Sequence, residues 1–110
     1  MNDKEISRQI LEEGIDDWIP IDRLIDLTRE FSEAGESASI QILESLLDGG
    51  FVKVGEIGEN GFEAWSGASQ DVVLRVAAEL EKVNWVPLGG VCWIANTPKG
   101  DAEASHHQAG

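Results

Sequence analysis

The sequence predicts an α+β fold, and three observations carry that prediction. Apolar residues recur at three- and four-residue steps in four separate segments, runs of strand formers flank Asn60-Gly61, and glycine or proline separates the segments. With 42% apolar residues in a chain of 110, the composition is far from that of a disordered acidic tail. A fold of this size buries roughly 60–70% of its unfolded surface around one core. The expected organisation is a single domain over residues 1–100 and a flexible tail over 101–110.

The first helix starts at Asn2, because Glu5 three residues later completes a capping box, and its apolar stripe is Ile6, Ile10 and Leu11. Gly14 marks its end. Asp17-Trp18-Ile19-Pro20-Ile21 reads as a short extended segment, since proline biases its predecessor away from helix and lacks an amide donor. Helical spacing returns at Ile21, Leu24, Ile25, Leu27 and Phe31, with Asp22 and Asp26 on the outer side. After a loop over 32–36, Ser37 is read as the cap of a third helix running to about Asp48. Its buried face is predicted to be Ile40, Leu43, Leu46 and Leu47, and Gly49-Gly50 supplies a left-handed stop.

A hairpin should follow, with Phe51 to Ile57 as one arm and Phe62-Glu63-Ala64-Trp65 as the other. Asn60 and Gly61 as central turn residues place Glu56 opposite Trp65, but Gly55 and Gly58 leave that register open. Ser69 and Asp71 open a fourth helix. Its Val73, Val76, Leu80 and Val83 form one seam, to be packed inside the domain or against a second copy. The last strand is Val91-Cys92-Trp93-Ile94-Ala95, ended by Asn96-Thr97-Pro98, with its pairing partner open.

Helix, short strand, helix, helix, hairpin is the element order of a winged helix domain, and residues 3–67 resemble that family. The resemblance rests on Trp18-Ile19-Pro20-Ile21, on the passage from Ile42 through Gly49-Gly50 to Val52, and on Gly58-Glu59-Asn60-Gly61 at the wing tip. It implies a winged-helix-like core with an additional C-terminal helix and strand. It implies little about activity, because one fold hosts many functions.

Charge then decides between function classes. The formal net charge is −13, and residues 1–50 hold 13 acidic residues against Lys4, Arg8, Arg23 and Arg29. Such a field repels phosphate backbones and anionic lipid and draws in basic surfaces. A DNA-reading winged helix presents cations on its third helix and wing. Here the third helix offers Glu36, Glu44 and Asp48 with no Lys or Arg, and Lys53 is the hairpin's one cation. Direct nucleic-acid binding is therefore not expected.

No catalytic constellation is present in the sequence. His106 and His107 lie side by side in the expected tail, Cys92 falls on a strand where a small core residue is usual, and the glycines at 55, 58 and 61 precede a strand, not a helix. No enzyme activity, cofactor or metal site is predicted. The start Met1-Asn2-Asp3-Lys4-Glu5 has no apolar signal region after it, so cytoplasmic residence is the expectation.

The tryptophans are the better lead. Trp18, Trp65, Trp85 and Trp93 serve as core residues or interface anchors, and Trp18 adjoins Asp16 and Asp17 in the acidic half. The predicted partner-binding residues are Asp16, Asp17, Trp18, Asp22 and Asp26, with Glu36, Glu44 and Asp48 as a second patch. The functional expectation is a small acidic interaction module for a protein with a basic surface, in one version an immunity or antitoxin-like inhibitor. The alternatives are a winged-helix regulator, a non-catalytic structural homodimer, and acidity that serves only solubility.

Overall fold

In the computed structural model, which describes residues 1–109, helix α1 (Asp3–Glu13) begins as its sequence dictates. Asn2 accepts the Glu5 N–H at 2.8 Å while the Glu5 carboxylate accepts the Asn2 N–H, and Ile6, Ile10 and Leu11 are buried. Strand β1 is only Ile19–Pro20, and Pro20 leads into α2 (Ile21–Phe31), which buries Ile21, Leu24, Ile25, Leu27 and Thr28. Fixed φ makes proline a good entry to a helix.

Helix α3 (Glu36–Asp48) departs from expectation in cap and face. Gly35, at φ 61°, precedes it without a side-chain cap, and Ser37 donates its hydroxyl to the Ala34 carbonyl at 2.8 Å. The buried face is Ala38, Ser39, Ile42, Leu43 and Leu46, so Ile42 takes the place predicted for Ile40. The rotation brings Ser39 to Thr28 at 2.7 Å across the α2–α3 contact. Because Thr28 gives its proton to the Ile25 carbonyl, Ser39 is the donor in that pair and both buried hydroxyls are satisfied. At the far end the left-handed residue is Gly50, at φ 73°.

The sheet has four antiparallel strands in the order β1-β4-β2-β3, where β2 is Val52–Gly58, β3 Gly61–Ala64 and β4 Trp93–Asn96. The last strand thus pairs with the hairpin on one side and with β1 on the other. The hairpin register differs from the sequence reading. Gly58 faces Gly61, so Glu59 and Asn60 are the central turn residues and Glu56 faces Glu63. Gly61 takes φ +102° just after the turn. Gly55 pins this register, because a Cβ there would land on the Glu63 carbonyl oxygen. Only glycine admits so close an approach of β3.

Helix α4 (Ser69–Lys82) packs on α3 and buries Val72, Val73, Val76 and Leu80, whereas Val83 caps its C-terminus and is exposed. The seam is thereby consumed within the chain. Residues expected to form a flexible tail are instead helical: α5 spans Pro98–Ala109, docks on α1 and buries Ala104 completely. The physical reason is a helix start read only as a strand end. Thr97 accepts the Gly100 N–H at 3.1 Å, and Pro98 occupies the first helical position. Thr97 also donates to the Gly50 carbonyl at 2.6 Å, and Asn96 donates to Leu11 O at 2.8 Å and to Asp101 at 3.0 Å. Gly110 lies outside the described residues.

These elements enclose one hydrophobic cluster drawn from all five helices and strands β1, β2 and β4. Among the described residues no helix is long and apolar enough to cross a membrane.

A bidentate ion pair ties α1 to α2: Arg23 donates through Nε and Nη2 to Glu13 at 2.8 Å each. Those bonds hold the Glu13 carboxyl below its ordinary value, against partial burial, which pushes it up. A depressed carboxylate stabilises the fold fully above its unfolded value near pH 4.5 and loses that contribution as the pH falls through the folded one. Glu13→Gln is expected to cost about 0.5–1 kcal/mol at pH 7, the range for a partly exposed pair. The difference from wild type, measured by urea unfolding, should shrink below pH 4.5.

Candidate functional site

Strand alternation sorts the sheet into two faces. Ile94 faces Ile19 and Val54 and is buried with them against the helices. The outward parity carries Pro20 and Trp93, which face each other, and Ile57 opposite Phe62. Trp18, one residue before Ile19, shares that parity. Its indole is 45% exposed and lies tilted against the Phe62 ring, with centroids 6.1 Å apart. The close approach of β3 at Gly55 curls the hairpin toward this face, and Gly61 lies beneath the tip of the indole. Asp16 and Asp17 are exposed beside Trp18, and Glu56, Glu59 and Glu63 are exposed along the hairpin.

The other predicted residues divide. Asp22 faces a loop of its own chain, accepting the Gly89 N–H at 3.0 Å through one oxygen while the other is buried without a hydrogen-bond partner. It is a structural group and not part of an open patch. Asp26 is exposed on α2. Glu36 is neutralised by Arg29 at 2.8 Å, whereas Glu44 and Asp48 stand exposed on α3. The second patch therefore reduces to Glu44 and Asp48. The helix offers them no cation to alter its sign.

Residues 83–90 form a feature that the sequence reading passed over. Asn84, Trp85 and Leu88 all have positive φ, at 53°, 61° and 49°. Non-glycine residues in this region cost on the order of 1–2 kcal/mol each, and persist only where surroundings impose them. Here Trp85 donates its amide to the Leu80 carbonyl at 2.9 Å and its indole N–H to Glu81 at 2.9 Å. Arg29 donates to the Trp85 carbonyl at 2.8 Å. The strained loop holds Leu88 in solvent at 86% exposure, with Val86 half exposed. A cleft of about 360 Å3 lined by Gly89, Gly90, Ile57 and Trp93 joins its base to the outward sheet face. The signal available was Trp85-Val86-Pro87-Leu88, an apolar run punctuated by proline and followed by two glycines.

The remaining tryptophans are half-buried: Trp65 packs on the core under the Arg75 guanidinium at 3.8 Å, and Arg75 in turn pairs with Glu56 at 3.5 Å. Cys92 is 1% exposed, and burial, helped by the Asp22 charge, pushes its thiol up to about 12. A thiol so hard to ionise is a core residue and not a nucleophile. His106 lies on the exposed side of α5, and the side chain of His107 lies outside the described residues.

Trp18, Phe62, Ile57 and Trp93 thus share the outward face, with the exposed carboxylates of Asp16 and Asp17 beside Trp18, the exposed Lys53 at the same parity, and Leu88 beyond the cleft. No family model matches the chain, and neither a curated protein nor a solved structure shows significant similarity to it.

Proposed function

We propose that this chain is an interaction module that docks a protein with a basic surface through the outward sheet face, on a winged-helix-like core. The observation that carries the reading is Trp18: an indole 45% exposed and seated on Phe62 beside two exposed carboxylates. A rigid aromatic with acid around it suits a partner that offers an apolar pocket among lysines and arginines. The order helix, strand, helix, helix, hairpin supports the winged-helix reading, with α4, β4 and α5 as additions and β4 set between β1 and the hairpin. Against a nucleic-acid partner stand the exposed Glu44 and Asp48 of α3, where phosphate neutralisation would need cations. One specific form is an inhibitor that occludes a cationic active site.

Affinity capture with the tagged chain, followed by binding measurements on the recovered protein, tests this. The partner should be basic, and its affinity should fall with added salt. Trp18→Ala should weaken it about 30-fold, the effect of losing a central aromatic anchor. Binding that ignores both salt and Trp18→Ala sinks the proposal, as does retardation of duplex DNA at physiological salt.

A further inference from the structure

The chain has 21 acidic and 8 basic residues, and among the described residues four of the cations have a carboxylate partner while Lys4, Arg8, Lys53 and Lys99 have none. Arg23, Arg29, Arg75 and Lys82 each pair with a glutamate. Of the other four, Lys4 and Arg8 line the same groove between α1 and α3. They are four residues apart on α1 and therefore lie on one helix face. Ser7 and Ser45 line the groove with them.

The groove has two lobes that share Lys4, Ser7 and Ser45. The inner lobe, about 190 Å3, has an apolar floor of Leu11, Leu46 and Phe51. Arg8 lines this lobe, and its Nε is buried with no hydrogen-bond partner. A buried guanidinium donor left unmatched is costly, and Arg8 would have to turn that N–H outward to meet an acceptor in the groove. Planar, paired N–H donors match a carboxylate. Glu103 lines the same lobe and Asp3 the other, and with the net charge of −13 they oppose a second negative charge on any occupant.

From this arrangement we infer that the α1–α3 groove binds a small monocarboxylate with a short apolar tail. Its head group sits among Lys4, Ser7, Arg8 and Ser45, and its tail lies on Leu11, Leu46 and Phe51. The site is separate from the Trp18 face and does not depend on the proposed partner.

An amide and Arg-side-chain NMR titration of the full chain tests the site, with hexanoate, hexan-1-ol and acetate as probes. Hexanoate should give saturable shifts at Ser7, Arg8, Ser45, Phe51 and the Arg8 Nε–H. The alcohol lacks the charge and acetate lacks the tail, so each should bind at least about tenfold more weakly. Arg8→Gln should weaken hexanoate by about tenfold or more, and Ser45→Leu, at an exposed position, should block the groove. Absence of saturable shifts at these residues overturns the assignment. So does equal affinity for either control probe, or hexanoate binding unchanged in a folded Arg8→Gln and in Ser45→Leu.

Discussion

Replacing Gly55 by alanine is expected to destabilise the protein by about 3 kcal/mol, the upper part of the range for forcing an atom into closed space. For a chain of this size that corresponds to a fall in Tm of roughly 12–18 °C. The new Cβ meets the Glu63 carbonyl oxygen and the Ala64 Cα, both backbone, so no side chain can move aside to admit it. The strands must separate, and with them the curl that carries Phe62 to Trp18. A second readout follows: the nuclear Overhauser contact between the Trp18 and Phe62 rings should vanish, and Trp18 emission should shift to the red. A variant that keeps its Tm within a few degrees and retains the ring contact would show that β3 does not cross Gly55 so closely.

Leu80→Ala should cost about 3–5 kcal/mol, since the side chain is wholly buried and its removal leaves a cavity. This substitution also separates two uses of the α4 seam. A seam that packs within one chain gives a loss of stability independent of protein concentration. One that packs between copies gives a midpoint that rises with concentration and a weight that falls in the variant. Urea unfolding at low and high protein concentration, with sedimentation alongside, distinguishes them. The burial of Val73, Val76 and Leu80 beneath α3 predicts the first result.

Elements with their own local signals were readable in the sequence. Asn2 and Glu5 specify the start of α1 by reciprocal bonds within four residues, and Pro20 specifies the break before α2 by its fixed φ. Features that depend on distant neighbours were not. The hairpin register is decided by Gly55 against Glu63, while Asn60-Gly61 alone favours a different turn. The buried face of α3 includes Ser39, whose hydroxyl meets Thr28 of α2, a partner 11 residues away that the local pattern does not announce. Asn96-Thr97-Pro98 reads locally as punctuation after a strand, although threonine followed by proline is equally the start of a helix.

The candidate site shows the same division. Trp18 could be singled out because tryptophan beside two aspartates is conspicuous in any chain. Asp22 could not be separated from Asp26, because the Gly89 amide that engages it is 67 residues away. The positive φ values of Trp85 and Leu88 had no local sign, since neither residue type favours that conformation.

The position of β4 between β1 and the hairpin has a consequence for the order of assembly. Ile19 pairs with Ile94, so the sheet is joined only when the end of the chain returns to its beginning. Closing so long a loop is slow, and during synthesis at 5–20 residues per second β1 waits roughly 4–15 s for its partner. Throughout that interval the inner edge of β2 is an unpaired strand edge, open to pairing with a neighbouring nascent chain. By then each unfinished copy already carries the acidic first fifty residues, and like charges oppose the approach of two such edges until residues 93–96 arrive to fill the gap.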